Sequence, residues 1–458
     1  MSGGRPTPRG SVAVAALLLS AACVACGGYA QRLEAARVDV ERSALDDAAS
    51  RLDALVARAE EGRGRAGADL PLLLLERAAI AQGRGDHRQA LADLQAADQL
   101  LEVLDLSNDR GGQAANYLWS GSRALYRPPV YEKLMVNVLA AASYLALDDR
   151  QGARVEARRI GVLLDYFADT PLAEHPMLGG AAFVAGLAME VGGEVDEAAR
   201  FYGEAWRLSR SDLARARLSC LTPSAAALRV ESVAAARDGV EQCRPRPEGT
   251  GDVVVLAFSG LPPYRIAERL PIGIVFAVMR QDAAYSFGVR EQATYDRILA
   301  EGLLTWVNFP SLVVREVTSA PPPARVGGQV VHLSGVADVA AFALAEWEAD
   351  RPGIAFAALT RMITRVLARE AVQAAGGAGG DTAETVGFLL GLATEGAMQA
   401  ADTPDTRTWT LMPAAVWATS TSAPVGAVPV QLGAGPQTAS VSVDVRDGAT
   451  TVAVVRLF

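Results

Sequence analysis

Two cysteines stand at the end of an apolar run near the start of the chain, where a thiol can be modified by a lipid. Arg5 and Arg9 precede the run from Val12 to Ala25, and Cys23 and Cys26 close it. A charged start, a short apolar middle and small residues before a cleavage point predict a secretory signal. The run is also too short to span a bilayer. A thiol directly after such a signal is typical of a lipid-modified cysteine.

Cys26 is the favoured lipidation residue because Gly27 and Gly28 follow it as a flexible tether. Cys23 is the alternative, and a signal that is cleaved without lipid attachment is a third reading. Neither cysteine is followed by Asp, the residue that commonly retains lipoproteins at the inner membrane. We therefore expect residues 1–25 to be a lipoprotein signal peptide, and the mature protein to be an outer-membrane lipoprotein that faces the periplasm.

The two remaining cysteines, Cys220 and Cys243, would form a disulfide in an oxidising periplasm, or would stay as two separate buried thiols. Their spacing excludes a metal or redox site of the CxxC type.

Catalytic chemistry has no visible signature in this chain. The three histidines, His87, His175 and His332, lie far apart in the sequence, so a histidine-based triad or metal site is hard to build. The glycine-rich run from Gly376 to Gly380 lacks the lysine of a phosphate-binding loop and follows no strand. We expect a protein that is not an enzyme and that binds no cofactor.

Composition and charge limit the kinds of partner that the chain can bind. The chain has 458 residues, 50% of them hydrophobic, and its net charge of -9 includes no clustered basic footprint, which argues against nucleic acid. On one predicted helix, Arg361, Arg365 and Arg369 form a basic stripe at intervals of four residues. The stripe is a candidate for binding an acidic partner, although it also fits the solvated face of an amphipathic helix.

From Gln31 to about Arg244, apolar residues recur every three or four positions, which predicts helices. Small residues return at equivalent points of paired helices, where they allow close approach. The pattern is clearest in the two copies around Ala90 and Ala198. It is looser in the two copies around Ala153 and Ala48. The spacing is that of tetratricopeptide (TPR) helix pairs in an interrupted array. An alanine-rich helical bundle is the alternative.

The longest interruption of the array, from Leu104 to Val130, is polar and aromatic. Long loops inside compact arrays are often functional. Trp119 and Tyr126 in this insertion are candidates for anchoring a partner, or for plugging the gap between repeats.

Around Arg244 to Gly251 the composition changes to that of a linker, and strand patterns follow. Strands are predicted at Asp252–Phe258, at Leu270–Met279 and within Leu304–Val317, with a shorter strand at Gln329–Leu333. Helices are predicted at about 336–349, 354–374 and 382–399. Asp447-Gly448 between alternating valines predicts a terminal β-hairpin.

The predicted fold is therefore a multidomain α+β protein. It has an all-α TPR-like helical repeat domain at 26–244, a linker at 245–251 and an α+β C-terminal domain with a terminal β-hairpin at 252–458.

Five stretches resemble a family of TPR-containing bacterial envelope lipoproteins. They are Tyr131–Asn137, Tyr144–Asp149, Ala153–Arg159, the Arg361 and Arg365 pair, and Asp405–Pro413. The chain departs from the family in its strand-like tail and at Asp148-Asp149, where Gly-Asp is usual. The resemblance implies an envelope location and a helical repeat half with a C-terminal domain, and no reaction. It also makes Arg407 and Trp409 candidate partner-binding residues, unless both are structural.

These features favour a periplasmic scaffold or assembly factor that binds an envelope protein partner and reaches the membrane through its lipid anchor, without contact to nucleic acid. Two alternatives are an envelope hydrolase or glycan-processing enzyme with its site in the C-terminal domain, and a structural lipoprotein that ties the membrane to the wall.

Overall fold

The computed structural model describes residues 29–62, 65–101, 126–239, 243, 246–301, 306–315, 320–376, 404–434 and 437–458. For residues 65, 66, 290, 298, 301, 364–376, 434 and 437 only the backbone is described. The fold is mixed helix and sheet, with helices in the first half and all of the described strands in the second.

The first half folds as a succession of helices. Their bounds are α1 Tyr29–Glu41, α2 Leu45–Glu61, α3 Arg65–Ala68, α4 Leu70–Gly83, α5 His87–Leu101, α6 Val130–Ala146, α7 Arg150–Ala168, α8 Pro176–Val191, α9 Val195–Ser209, α10 Asp212–Ser219 and α11 Glu231–Arg237, with a 3-10 turn at Ala227–Arg229. Four hairpins, α1–α2, α4–α5, α6–α7 and α8–α9, form the body of this half.

The four hairpins share one turn. Each turn has a residue with positive φ: Ser43 (60°), Gly85 (75°), Asp148 (55°) and Gly193 (81°). The N–H of the next residue donates to the carbonyl five positions back, at 2.8–2.9 Å, which closes the end of the first helix. Four residues after that donor comes a fully buried alanine: Ala48, Ala90, Ala153 and Ala198. The small residues that recur in the sequence therefore mark one repeated helix–turn–helix geometry.

In the last three hairpins the two helices differ in burial. The first helices, α4, α6 and α8, are buried on nearly every side, whereas the second helices, α5, α7 and α9, have an apolar face and a solvated face. The first helices are covered because strands of the second half pack on them. We call this covered surface the inner face. On α8, a Cβ at Gly180 would lie 2.5 Å from both Val336 O and Ala337 Cβ, so only glycine allows this close approach.

The second half contains three sheets and a long helix. Its elements are β1 Thr250–Ser259, β2 Tyr264–Pro271, α12 Ile272–Met279, α13 Val289–Glu301, β3 Trp306–Val313, β4 Ala324–Val326, β5 Gln329–Val331, β6 Ser334–Asp338, α14 Val339–Gly376, β7 Ala415–Pro424, β8 Gly426–Ala434, β9 Gln437–Val445 and β10 Thr450–Arg456. The strand orders are β10-β1-β7-β6, β5-β4-β8-β9 and β2-β3.

Strand β1 holds the layers together because both of its faces are buried. Val254, Leu256 and Phe258 join the core of the helical half. Alternate residues Val253 and Val255 join the core between the two four-stranded sheets. The layers are therefore helices, a first sheet and a second sheet. The predicted boundary at 245–251 does mark the change from helix to strand, but one continuous core crosses it.

Three predictions for the second half need correction. Residues 272–279 form helix α12, because Ile272, Val275 and Val278 are buried at helical spacing, a pattern that a continuous apolar run conceals. The two helices predicted at 336–349 and 354–374 are one helix, α14, which continues through Pro352. Buried side chains on both sides of that proline belong to two cores, which hold the helix in place.

The terminal β-hairpin is also absent. Asp447-Gly448 does make a turn, with Gly448 at φ 64°. However, β9 pairs with β8 in the second sheet, and β10 pairs in parallel with β1 in the first. The turn thus connects two stacked sheets. Two valine-rich strands gain more stability by joining these sheets, where they are buried, than by forming a two-stranded hairpin.

The disulfide between Cys220 and Cys243 lies at the end of the helical half, with the two Cα atoms 4.7 Å apart. It joins the residue after α10 to the chain beyond α11, which fixes the last helices before the first strand.

Candidate functional site

The most polar part of the interior is a segment of the second half that lies on the inner face of the helical array. We call Asp405–Pro413 the docked segment. It enters directly before β7 and meets helices α4 and α6, so residues more than 270 positions apart in the sequence come into contact. Its backbone forms neither helix nor strand, and the helices provide acceptors for several of its amide groups.

Two glutamates bind the backbone of the docked segment. The Oε1 atom of Glu76 on α4 accepts hydrogen bonds from the amide and the hydroxyl of Thr410, both at 2.8 Å. Its Oε2 atom accepts the amide of Leu411 at 2.8 Å. Glu132 on α6 accepts the amide of Trp409 at 3.2 Å. The helical array therefore holds this segment largely through main-chain donors.

Side chains of the docked segment are held as well. Arg407 forms ion pairs with Asp405 and, at 3.1 Å, with Asp69 at the start of α4. Its guanidinium also lies over the ring of Tyr126, 5.5 Å from the centroid. Tyr126 in turn donates its hydroxyl hydrogen to Glu132 at 2.5 Å. Arg407 and Tyr126 thereby connect the two halves of the molecule.

Burial controls the charge of this cluster. Desolvation raises the pKa of Glu76 and that of Glu132 to about 7, although hydrogen bonds from the docked segment oppose the shift. Desolvation also lowers the pKa of Arg456 on β10 to about 9, with Glu76 acting in the other direction. Arg456 donates to the carbonyl of Leu411. The two glutamates, Arg456 and the peptide groups of the docked segment are thus buried together.

This arrangement is suited to holding a polypeptide. The oxygen atoms of Glu76 receive four hydrogen bonds from Tyr29, Thr410 and Leu411, so they are occupied as acceptors. A general base needs a free lone pair within reach of a substrate proton. The raised pKa values of Glu76 and Glu132 therefore reflect burial at a structural contact.

The placement of the candidate residues corrects the expectation of exposed anchors. Tyr126, Arg407 and Trp409 are all buried, with 2%, 3% and 0% of their surface exposed, so a partner cannot reach them in this structure. Their aromatic and guanidinium groups fill the contact between the two halves. The sequence leaves two alternatives for these three residues, partner binding and internal packing. The structure fits internal packing.

The other candidates are less informative. Trp119, Cys23 and Cys26 lie outside the described residues, as do the glycine-rich run after Gly376 and the helix predicted at 382–399. In the basic stripe, Arg361 is half-buried and has an interaction partner, and the side chains of Arg365 and Arg369 are not described.

Sequence reasoning missed Asp69, Glu76 and Glu132 as a group. A signal was present, because Glu76 is the only acid of α4 and, with Arg77, interrupts the otherwise apolar run Leu72–Ile80. Glu132 similarly stands near the start of the apolar helix α6. A single acid in a helix that is buried on nearly every side indicates that its carboxylate has a buried partner.

A different polar cluster joins helices α5, α6 and α7 on the outer side. We call it the outer cluster: Lys133, the only lysine, pairs with Asp98, and Arg159 bridges Asp98 and Glu156 at 3.3 Å. Asn137 donates to Glu156 at 2.9 Å. The cluster borders an open cavity of about 500 Å³ between α5 and α7.

Within the described ranges, no three His, Cys, Asp or Glu side chains come together to hold a metal ion. No helix among the described residues is long and apolar enough to cross a membrane. Compared with family models, curated proteins and solved structures, the chain gives no match.

Proposed function

We propose that this protein is a non-catalytic scaffold or assembly factor of a bacterial envelope, built on a TPR-like helical array and anchored to the outer membrane through a lipid on Cys26. The anchor follows from the charged start, the apolar run and the cysteine that closes it. The array follows from small residues at equivalent points of helix pairs. Four hairpins with one turn geometry and one buried alanine support the array.

The observation that carries the proposal is the docked segment. Repeat arrays use an extended face to hold peptide segments. Here the inner face holds Asp405–Pro413 through Glu76 and Glu132, which is the kind of contact that a polypeptide-binding array makes. Because its own chain occupies the inner face, a separate partner would contact the outer side of the array or the exposed parts of the second half.

The same contacts weigh against a hydrolase. A pair of carboxylates with raised pKa values would ordinarily mark an acid–base site. In the described part of this chain, Glu76 and Glu132 already bind main-chain amides and tyrosine hydroxyls.

A crosslinking experiment tests the proposal. The full chain is expressed with an affinity tag in cells that process lipoproteins, crosslinked in intact cells and extracted with detergent. We expect an envelope protein to be recovered with the wild type. Recovery of the chain alone would contradict a scaffold role.

The anchor is tested in the same cells with a matched pair of variants. Cys26→Ser should leave an unprocessed precursor or release the protein from membranes, and Cys23→Ser should leave lipidation intact. The reverse pattern would assign the lipid to Cys23. If neither substitution had an effect, the lipoprotein reading would fail.

A further inference from the structure

Helix α12 belongs to a part of the second half that has its own hydrophobic core. Ile272, Val275 and Val278 face this core, which also contains residues of β3 and α14. No residue of α12 has a polar side chain, so the outer side of the helix is as apolar as its inner side. Such an outer side is unusual, because surface helices ordinarily place polar residues toward water.

The outer side of α12 is open to solvent. Gly273, Ile274 and Ala277 lie on it, and Ile274 is 50% exposed. Gly273 and Ala277 are four residues apart, so they lie one above the other along the helix. Ile274 is therefore the largest side chain on an exposed apolar face.

Trp306 lies at the end of the β2–β3 ribbon from which α12 begins. It pairs with Pro271, the residue directly before α12. Because side chains alternate along a strand, Trp306 points away from the core that its neighbour Val307 enters. Trp306 is 50% exposed. We call four exposed residues the apolar patch: Gly273, Ile274, Ala277 and Trp306.

Two arginines flank the apolar patch. Arg280 directly follows α12 and lies about one turn beyond Ala277 on the same side of the helix. Arg269 lies two residues before Pro271, on the same face of β2. Both arginines are exposed, and neither forms an ion pair in the part of the chain that the structure describes. The guanidinium groups are therefore available to an outside anion.

Two acids lie close to these arginines in the sequence. Glu268 points to the opposite face of β2 from Arg269. Asp282 uses a side-chain oxygen to accept the amide of Ala284 at 2.9 Å, within the turn after α12. Positive charge therefore dominates the edge of the apolar patch.

A lipid bilayer fits this combination better than a protein partner does. Protein interfaces contain about one hydrogen bond per 100–200 Å², whereas the outer side of α12 has no side-chain donor or acceptor. At a bilayer surface, tryptophan lies at the level of the headgroups and arginine pairs with lipid phosphates. Eight residues are too few to cross a bilayer, so the contact would be with its surface.

We propose that the apolar patch lies on the surface of the membrane. Ile274 and Trp306 would reach the boundary between headgroups and acyl chains, and Arg269 and Arg280 would contact lipid phosphates. This inference rests on the proposed membrane location and adds a second contact to the lipid anchor. An anchor alone leaves the protein free to rotate, whereas two contacts would fix the orientation of the helical array relative to the membrane.

Vesicle binding by a lipid-free chain tests the apolar patch. Residues 27–458 contain every described residue and lack both the signal and the two candidate lipidation cysteines. This chain is mixed with phosphatidylcholine vesicles that contain about one third phosphatidylglycerol, and the fraction that sediments is measured against lipid concentration. We expect binding to these vesicles and weaker binding to phosphatidylcholine alone, because phosphatidylglycerol supplies negative charge.

Two substitutions to glutamate form a matched pair. Ile274→Glu places a charge within the apolar patch. Val162→Glu places one on α7, at a valine that is 60% exposed and lies outside the patch. Ile274→Glu should weaken vesicle binding about tenfold or more, and Val162→Glu should leave it unchanged. Trp306→Glu replaces Ile274→Glu if the thermal unfolding midpoint shows that Ile274→Glu does not fold.

Arg280→Gln separates the charge from the apolar contact. It should weaken binding to the vesicles with phosphatidylglycerol about fivefold and have a smaller effect on phosphatidylcholine alone. Added salt should reduce the difference between wild type and Arg280→Gln, because exposed charges are screened. Equal binding by the two chains would refute the contact with lipid phosphates.

Three results would overturn the membrane contact. The first is no vesicle binding by the wild-type chain, and the second is an equal loss in Ile274→Glu and Val162→Glu. The third is a wild-type dimer that Ile274→Glu converts to a monomer, which would assign the apolar patch to a second copy of this chain.

The lipid-free chain also separates this inference from the proposed anchor. If it does not bind vesicles while Cys26 proves to be lipidated, the apolar patch fails and the anchor stands. If it binds vesicles while neither Cys23 nor Cys26 is lipidated, the patch stands and the anchor fails.

Discussion

The inner face and the outer side of the helical array use acidic residues in opposite ways. On the inner face, Glu76 and Glu132 are fully buried and bind main-chain amides of the docked segment. On the outer side, the buried carboxylates of Asp98 and Glu156 pair with Lys133 and with Arg159, whose side chain is 48% exposed. A carboxylate that binds uncharged amides in the interior has no ion-pair partner to offset its desolvation, whereas each outer carboxylate has a cationic partner, and the side chain of Arg159 remains in contact with water.

The difference shows which carboxylates hold the two halves together. The inner glutamates lie at long range in the sequence and connect helices to the chain before β7. The outer cluster connects only neighbouring helices. We therefore expect substitutions on the inner face to affect the whole fold, and substitutions on the outer side to have small local effects.

The largest expected effect comes from Glu76→Ala. This change leaves the amides of Thr410 and Leu411 buried without an acceptor, so the free energy of unfolding should fall by about 3–5 kcal/mol. Urea denaturation followed by circular dichroism measures the change. The control is Glu60→Ala on the exposed side of α2, which should change stability by at most about 0.5 kcal/mol. Equal effects of the two substitutions would remove the distinction between the inner face and the surface.

The disulfide provides the next largest effect. Cys220 and Cys243 are separated by 23 residues in the sequence, and closing a loop of this length stabilises a protein by about 3 kcal/mol. A Cys220→Ser, Cys243→Ser variant should lose about this much in urea denaturation while retaining its helix content. Reductant should destabilise the wild type and leave the double variant unchanged. If the wild type were insensitive to reductant, the two residues would be separate thiols.

The dependence of stability on pH sharpens the comparison. The pKa values of Glu76 and Glu132 are about 7 in the folded protein, above the ordinary value of 4.5. Each group therefore binds its proton more tightly when the chain is folded. Its contribution is fully present below about pH 4.5 and is lost as the pH rises through 7, at a cost of about 3 kcal/mol per group.

Urea denaturation between about pH 5 and about pH 7.5 measures this loss, which also contains the titration of the other groups. The difference between wild type and Glu132→Gln isolates one carboxyl, because glutamine does not titrate. The wild type should lose more stability over this interval than the variant does. Parallel curves would mean that Glu132 is not buried as a titrating group.

The smallest effect is expected on the outer side. Arg159→Ala removes two ion pairs in which the Arg159 side chain is 48% exposed, while Asp98 keeps Lys133 and Glu156 keeps Asn137 as a partner, so the loss should be at most about 1 kcal/mol. The loss should shrink further as salt is added, because exposed charges are screened. A loss as large as that of Glu76→Ala, or one that is insensitive to salt, would contradict the comparison.

Part of this architecture could be predicted from local sequence. The paired helices and their buried alanines have periodic apolar patterns, and strand β1 is a short, continuous apolar run after a linker, so both can be predicted from local sequence. Gly85 and Gly193 mark two of the turns because their positive φ favours glycine. The change from helices to strands near 245–251 could likewise be predicted from composition.

The contacts between the halves could not be predicted in this way. Nothing near Glu76 in the sequence indicates that Thr410 and Leu411 are its partners, because the contact depends on how the two halves pack. The same limit explains the terminal strands, since the Asp447-Gly448 turn is compatible with a hairpin and with a connection between sheets. The continuous apolar run at 272–279 suits a strand or a helix equally well.

The central claim is that the helical array holds Asp405–Pro413 on its inner face through Glu76 and Glu132. Amide hydrogen exchange at Trp409, Thr410 and Leu411 tests it most directly. In the wild type these three amides should exchange only through global unfolding, with the same opening free energy as the core amides of β1. In Glu76→Ala, the amides of Thr410 and Leu411 should exchange faster than those of β1. Exchange of these amides in the wild type at the rate of an exposed loop would contradict the claim.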